Sequence, residues 1–211
     1  MARLKVAPIV EGHGEVSAVP ILLRRIWSEL LGGEYIDVLT PIRQPRHRLA
    51  TNKGATLDKA IALAVGKLND PRLMDDPKLI LILLDADDDL PCELGPKVLQ
   101  LASSARSDHN ISCVIANVAY ETWFVAAAES LAPYLSLADD ESAPSNPESE
   151  RRGKGWIKTH FIGTKYSEPV DQPKLTAHMD LSVCHQHCPS FDKLCRDLEG
   201  TIGGGLHERA R

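Results

Sequence analysis

Apolar and polar positions change their period along the chain, and the changes mark out elements. Leu4 to Val10 is apolar and rich in β-branched residues, a strand's length, and ends at Glu11-Gly12-His13-Gly14. Val19, Leu22, Leu23, Ile26, Trp27, Leu30 and Leu31 then recur at helical spacing. Ser17 is expected to cap that helix, with Pro20 in its first turn, where a missing N–H is tolerated. Gly32-Gly33 ends it. Tyr35 to Leu39 predicts a short strand, followed by a basic loop. Thr56 is placed to cap a helix whose stripe is Leu57, Ala60, Ile61, Ala64, Val65 and Leu68, closed by Asp70-Pro71.

Leu79 to Leu84 is apolar without interruption, the pattern of a central parallel strand covered on both faces. It runs directly into Asp85-Ala86-Asp87-Asp88-Asp89. A helix around 93–105, a strand over Ile111 to Ala116 and an amphipathic helix from about Tyr120 to Leu131 follow. Strand alternating with helix predicts an α/β domain over 1–131, a doubly wound, mostly parallel four-stranded sheet. Residues 132–156 read as a flexible linker or loop, densest in Asp, Glu, Ser, Pro and Gly from Ala138 to Gly155. Residues 157–211 read as a small helical extension packed on the domain. Two helices are expected there, near 172–181 and 190–199, with fraying from Gly203-Gly204-Gly205 onward.

Composition narrows the class. The 211 residues are 43% apolar and 25% charged, enough for a core without staples. No run approaches the roughly 20 apolar residues of a membrane span. The N-terminus lacks a signal-peptide core, and five cysteines read as reduced thiols. The expectation is a cytoplasmic protein with no membrane partner. The net charge of −5 excludes a uniformly basic nucleic-acid binder, but the distribution is uneven. Arg43, Arg46, His47, Arg48 and Lys53 form one basic group, and Arg151, Arg152, Lys154 and Lys158 another. Acid at a centre and base on loops suits a metal-dependent phosphodiester site; solvated loops without a partner would look the same.

The acidic residues carry the chemistry. Sites in parallel α/β sheets form beyond the carboxyl ends of strands. Glu11 follows the first strand, and Asp85 and Asp87 follow the buried one. Residues two apart project to one side of an extended segment, so Asp85 and Asp87 can approach one cation together. Magnesium takes hard oxygen ligands and keeps several waters. Clustered carboxylates repel and need a cation or raised pKa values to coexist. The bland alternative is a helix N-terminus decorated with aspartates, which the helix dipole favours.

Val10-Glu11-Gly12-x-x-Glu15 after strand one, with Leu83-Leu84-Asp85-Ala86-Asp87 after a later strand, resembles the Toprim superfamily. Asn117-x-x-x-Glu121-x-Trp123-Phe124 and the late Ser190-Phe191 add a closer resemblance to small stand-alone Toprim-like bacterial proteins, related to the OLD-type nucleases. The resemblance covers roughly residues 4–130 and implies a Toprim-like fold. It implies Glu11 as general acid/base or metal ligand, Asp85 and Asp87 as the metal-binding pair, and Glu15 as a second acid, with Asp89 assisting. It further implies magnesium or manganese, a nucleic-acid substrate, and an ATPase partner in phage defence.

Other residues are graded by their chemistry. Glu121 is a candidate further acid or a first-turn glutamate favoured by the dipole. Trp123 and Phe124 read as core. Gly12 and Gly14 would let the backbone approach phosphate, and His13, Arg43, Arg46, Arg48, Lys53, Lys158 and Lys165 are candidate phosphate or nucleic-acid contacts. Cys184, His185, His187 and Cys188, near His178 and Cys195, invite zinc, but five consecutive residues cannot bring four ligands to one ion, so polar packing is expected. Three functions are consistent with these residues: a metal-dependent nuclease, a non-catalytic magnesium-, nucleotide- or nucleic-acid-binding subunit, and a phosphatase. The last usually places an aspartate after strand one, where this chain has Glu11.

Overall fold

The structure is a computed structural model and describes residues 4–45, 55–69, 76–137, 143–144, 146–149 and 153–207. The strands are β1 (Leu4–Val10), β2 (Ile36–Val38), β3 (Ile42–Arg43), β4 (Lys78–Asp85) and β5 (Ile111–Ala116). The helices are α1 (His13–Arg25), α2 (Ala55–Leu68), α3 (Pro91–Ala105), α4 (Glu121–Ala126), α5 (Gly153–His160), α6 (Glu168–Thr176), α7 (Leu181–His187) and α8 (Pro189–His207).

All pairings are parallel, in the order β2-β1-β4-β5, with β3 also on β1. Among the described residues the sheet has five strands rather than the expected four. The extra one resumes β2: after Pro41, which has no N–H for the ladder, Ile42 and Arg43 pair with Ile9 and Val10. Arg43 therefore stands on a strand end, not in the basic loop. Arg46, His47, Arg48 and Lys53 of that loop lie outside the described residues, as do Asp70-Pro71, Arg151 and Arg152.

The sheet is covered on both faces, as the apolar run of β4 requires. Leu79, Leu81 and Leu83 join Leu4, Val6 and Val10 in a core beneath α1, α4 and the C-terminal helices. Ile80, Ile82 and Leu84 join Ala7 and Ile9 in a second core beneath α2 and α3. Successive strand side chains point to opposite faces, so one run fills both cores.

Helix α1 begins at His13, four residues ahead of the expected Ser17 cap. Gly12 is its N-cap, and Glu15 reaches back to the backbone N–H groups of Glu11 and Gly12, the reciprocal half of a capping box. Pro20 consequently lies inside the helix. Thr56 likewise lies within α2 rather than capping it. The helix expected over Tyr120 to Leu131 is a short α4 followed by a 3-10 turn, Ala128–Leu131, and it is not amphipathic. Every residue from Ala119 to Ala128 is buried, because the C-terminal helices cover its outer side.

Among the described residues four helices rather than two follow residue 150, and α8 runs on through Gly203-Gly204-Gly205 to His207. Prolines 169 and 173 blur the helical pattern of α6. α5 begins inside the segment expected to be linker. The chain leaving and re-entering that segment is pinned by Ser136 N–H to His160 O at 2.7 Å and Ile162 N–H to Tyr134 O at 2.8 Å. Arg25 ties α6 to α1, donating to Thr176 O and Met179 O at 2.8 Å each. Among the described residues no helix is long and apolar enough to cross a membrane.

Candidate functional site

Strand β1 runs alongside β4 with Val10 opposite Leu83, so Glu11 and Asp85 leave the sheet as neighbours. The chain turns to opposite flanks from these two strands, the place where α/β sheets open a crevice. A cavity of about 700 Å³ lies there. Glu11, Gly12, His13, Glu15, Asp85 and Asp87 line its floor and one side. Arg43 comes from β3, and Lys154, Lys158 and Lys165 from α5 and the segment after it. Sequence-predicted acids and bases thus meet across one opening.

Two acids stand apart from that lining. Asp89 is exposed on the turn closed by its own N–H to Ala86 O at 2.9 Å, and does not line the cavity. Glu121 is 1% exposed and sits behind Tyr166, whose hydroxyl donates to Glu121 Oε1 at 3.0 Å. The other oxygen, Oε2, is buried with no hydrogen-bond partner. Gly14 does not face the cavity either. A Cβ there would fall 2.1 Å from Gln172 Oε1 and 2.5 Å from Glu168 O, so this glycine serves the close seating of α6 on α1.

The buried acids act on one another. Burial, with help from the charges of Glu11 and Glu121, raises Glu15 to about 7, against two backbone hydrogen bonds that oppose the shift. Burial and the charges of Glu15 and Glu121 hold Asp85 well above the usual carboxylate range, although it accepts the Tyr120 N–H. Glu121 is raised by burial, with Lys154 opposing. Lys154 pairs with Glu168 at 3.0 Å, and although burial disfavours its charge, Glu121 and Glu168 hold it firmly protonated. Lys154 is visible in the sequence only as one of a basic group, and no spacing links it or Tyr166 to the strands that carry the acids.

Backbone strain is local to the same edge. Asp87 and Val118 take positive φ, 49° and 66°, and Asp87 N–H donates to Val118 O at 2.8 Å. A β-branched residue in that region is costly and persists only where surroundings dictate it. The pairing fixes the loop after β4 against the loop after β5, and so fixes where Asp85 and Asp87 point.

Among the described residues no group of three or more His, Cys, Asp or Glu side chains is gathered as a ready-made metal centre. This includes the Cys/His cluster. Cys184, Cys188 and Cys195 are buried in the core, and Cys184 Sγ donates to Trp123 O at 3.3 Å. Trp123 and Phe124 are core, as expected; Trp123 Nε1 donates to Ser190 Oγ at 2.9 Å, and Ser190 N–H to Glu148 Oε1 at 3.0 Å. Asn117 Nδ2 donates to Glu148 O at 2.8 Å. Asn117, Trp123 and Ser190, far apart in sequence, therefore form one network around Glu148.

No curated protein and no solved structure gives a significant match to the chain. A family model does match, across residues 10–199, from the end of β1 into α8 and hence over the whole site. The chain belongs to that family, described as a domain of unknown function (DUF4276).

Proposed function

We propose that the protein is a metal-dependent phosphodiesterase acting on nucleic acid, a Toprim-like nuclease. One observation carries the reading: Glu11, Glu15, Asp85 and Asp87 share a cavity with Arg43, Lys158 and Lys165. Carboxylates on the floor and cations on the rim match a divalent cation and the phosphate it would serve.

The donor set fits magnesium or manganese. All candidate ligands are hard oxygens, and Glu15 and Asp85 are held above their ordinary range by burial and by neighbouring carboxylates, a charge that a cation would relieve. Magnesium commonly uses one or two carboxylates, with waters and phosphate oxygens filling the rest, so a closed cage is not required. Asp85 and Asp87 would hold it, with Glu11 and Glu15 completing one or two sites. When bound, the ion supplies Lewis-acid polarisation of the phosphodiester and a water of lowered pKa. Glu11 accepts or returns the proton of the attacking or leaving oxygen. Arg43, Lys158 and Lys165 grip the flanking phosphates, and Lys154 opposes the burial that raises Glu121 behind the site.

A second reading is a non-catalytic subunit of a larger complex that binds a magnesium-bound nucleotide or a nucleic acid. It is favoured by Glu15 and Asp85 already accepting backbone N–H groups, from Glu11 and Tyr120. The test is cleavage of end-labelled plasmid, single-stranded DNA and total tRNA with magnesium or manganese, comparing wild type with Asp85→Asn. Metal-dependent cleavage lost in the variant supports the nuclease. Absence of cleavage by folded wild type moves the weight to the binding subunit.

A further inference from the structure

The turn that leaves β5 reaches both aspartates of the D-x-D pair. Ala119 N–H donates to Asn117 O at 3.0 Å, across Val118 at φ 66°, so Asn117-Val118-Ala119 is a γ-turn of the positive-φ kind. That turn is rare and strained, and a β-branched residue at its centre is the costliest choice. Val118 O accepts the Asp87 N–H at 2.8 Å. Tyr120, just past the turn, donates its N–H to Asp85 Oδ1 at 2.8 Å. One strained turn therefore governs where two candidate metal ligands stand.

Strain persists only where the surroundings over-determine it, and here the turn is braced on both sides. Before it, Asn117 Nδ2 donates to Glu148 O at 2.8 Å. After it, Trp123 Nε1 donates to Ser190 Oγ at 2.9 Å. The two braces meet, because Glu148 Oε1 accepts the Ser190 N–H at 3.0 Å and the Ser190 hydroxyl as well. Trp123, Glu148 and Ser190 are buried, which shields these bonds from competing water. Neither Asn117 nor Glu148 lines the acidic cavity. The brace thus bears on the turn, and only through the turn on the aspartates.

We propose that Asn117 is a positioning residue of the acidic site: clamped to Glu148, it holds the Val118 turn in the conformation that sets Asp85 and Asp87 for a divalent cation. The cation rests on the phosphodiesterase reading; the hold on the turn does not. Magnesium demands near-ideal octahedral geometry, so carboxylates fixed in advance bind it better than carboxylates free to wander. Groups that orient metal ligands from behind typically change metal affinity by about 10–100-fold.

The experiment uses the full chain and Mn2+ alone, with no nucleic acid. Mn2+ affinity is titrated by electron paramagnetic resonance, and amide exchange is followed by NMR in chelator. Asn117→Ala should weaken Mn2+ binding by about tenfold or more. In the same variant the Asp87 and Tyr120 amides should exchange faster, by a larger factor than those of Ile82 and Leu83 in β4. A purely structural role would speed the β4 amides equally and leave the Mn2+ affinity of the folded protein where it was. Val118→Gly removes the strain, since glycine takes positive φ freely. In that background Asn117→Ala should change Mn2+ affinity by about twofold at most, and this pair decides should Asn117→Ala alone fail to fold. Unchanged Mn2+ affinity in folded Asn117→Ala, no selective gain in exchange at Asp87 and Tyr120, or an undiminished loss in the Val118→Gly background would overturn the proposal. Wild type that binds no Mn2+ would instead sink the metal reading, and the exchange at Asp87 and Tyr120 would still decide whether Asn117 holds the turn.

Discussion

Asp85 Oδ1 accepts the backbone N–H of Tyr120 at 2.8 Å, joining the end of β4 to the start of α4. This bond places a carboxylate among buried neighbours and holds it there before any ligand arrives. Asp85→Asn keeps the acceptor oxygen and removes the charge. The variant should melt at or above the wild-type temperature, since a desolvated acid is replaced by a neutral amide. Metal-dependent cleavage should fall by about a hundredfold or more, if one misplaced or missing ligand costs what loss of a charge-stabilising group typically does. A thermal melt alongside the cleavage assay reads both; a large drop in melting temperature would assign Asp85 a structural role instead.

Glu15 makes stability depend on pH. Its folded value of about 7 lies above the ordinary 4.5, so the folded chain holds this proton more tightly than the unfolded one. The contribution is complete below pH 4.5 and is lost as pH rises through 7. Over that window it amounts to about 3 kcal/mol, as an upper figure for a single uncoupled group. In chelator, denaturant unfolding should show stability declining from pH 4.5 to 7.5, and Glu15→Gln should flatten the decline. Added magnesium should stabilise more at pH 8 than at pH 5, because the ligands must be deprotonated.

Gly14 sits where α6 crosses the start of α1. Gly14→Ala puts a Cβ against Gln172 Oε1 and the Glu168 carbonyl, and backbone cannot swing aside as a side chain can. Overpacking of this kind costs about 1–3 kcal/mol. A chain of this length should lose about 2–4 °C of melting temperature per kcal/mol. Calorimetry checks it, and an unchanged melting temperature would show that α6 is not seated as described.

Trp123 Nε1 and Ser190 Oγ meet at 2.9 Å in the buried core. Ser190→Ala removes the acceptor and also the hydroxyl that Glu148 accepts. Leaving those groups unsatisfied should cost about 1–3 kcal/mol in urea unfolding, with the m-value unchanged.

The rim cations should act on affinity rather than fold. Arg43 is exposed at the end of β3 and lines the acidic cavity. Arg43→Ala should weaken single-stranded DNA binding across all sequences and lower the salt slope of log Kd by about 1. Fluorescence anisotropy at several salt concentrations measures it; an unaltered slope would remove Arg43 from the phosphate path.

The sequence by itself determined four of the five strands, the burial of β4 on both faces, and the acids that follow β1 and end β4. An unbroken apolar run such as Leu79–Leu84 has only one stable place, between two layers, and Glu11 and Asp85 follow such runs directly. It also marked Trp123 and Phe124 as core. Tertiary structure decided the rest. Which strands are neighbours is set by crossover connections, and no local pattern announces that β1 lies beside β4. Glu15 was visible as an acid, but its work as a cap and its raised pKa depend on burial beneath α6. Helix α4 reads as amphipathic in the sequence, but its polar-looking side is covered by helices distant in the chain. Lys154 and Tyr166 reach the acids only because α5 folds back on α4 and α6 on α1. Packing between distant segments brings these groups together, and local periodicity carries no record of it.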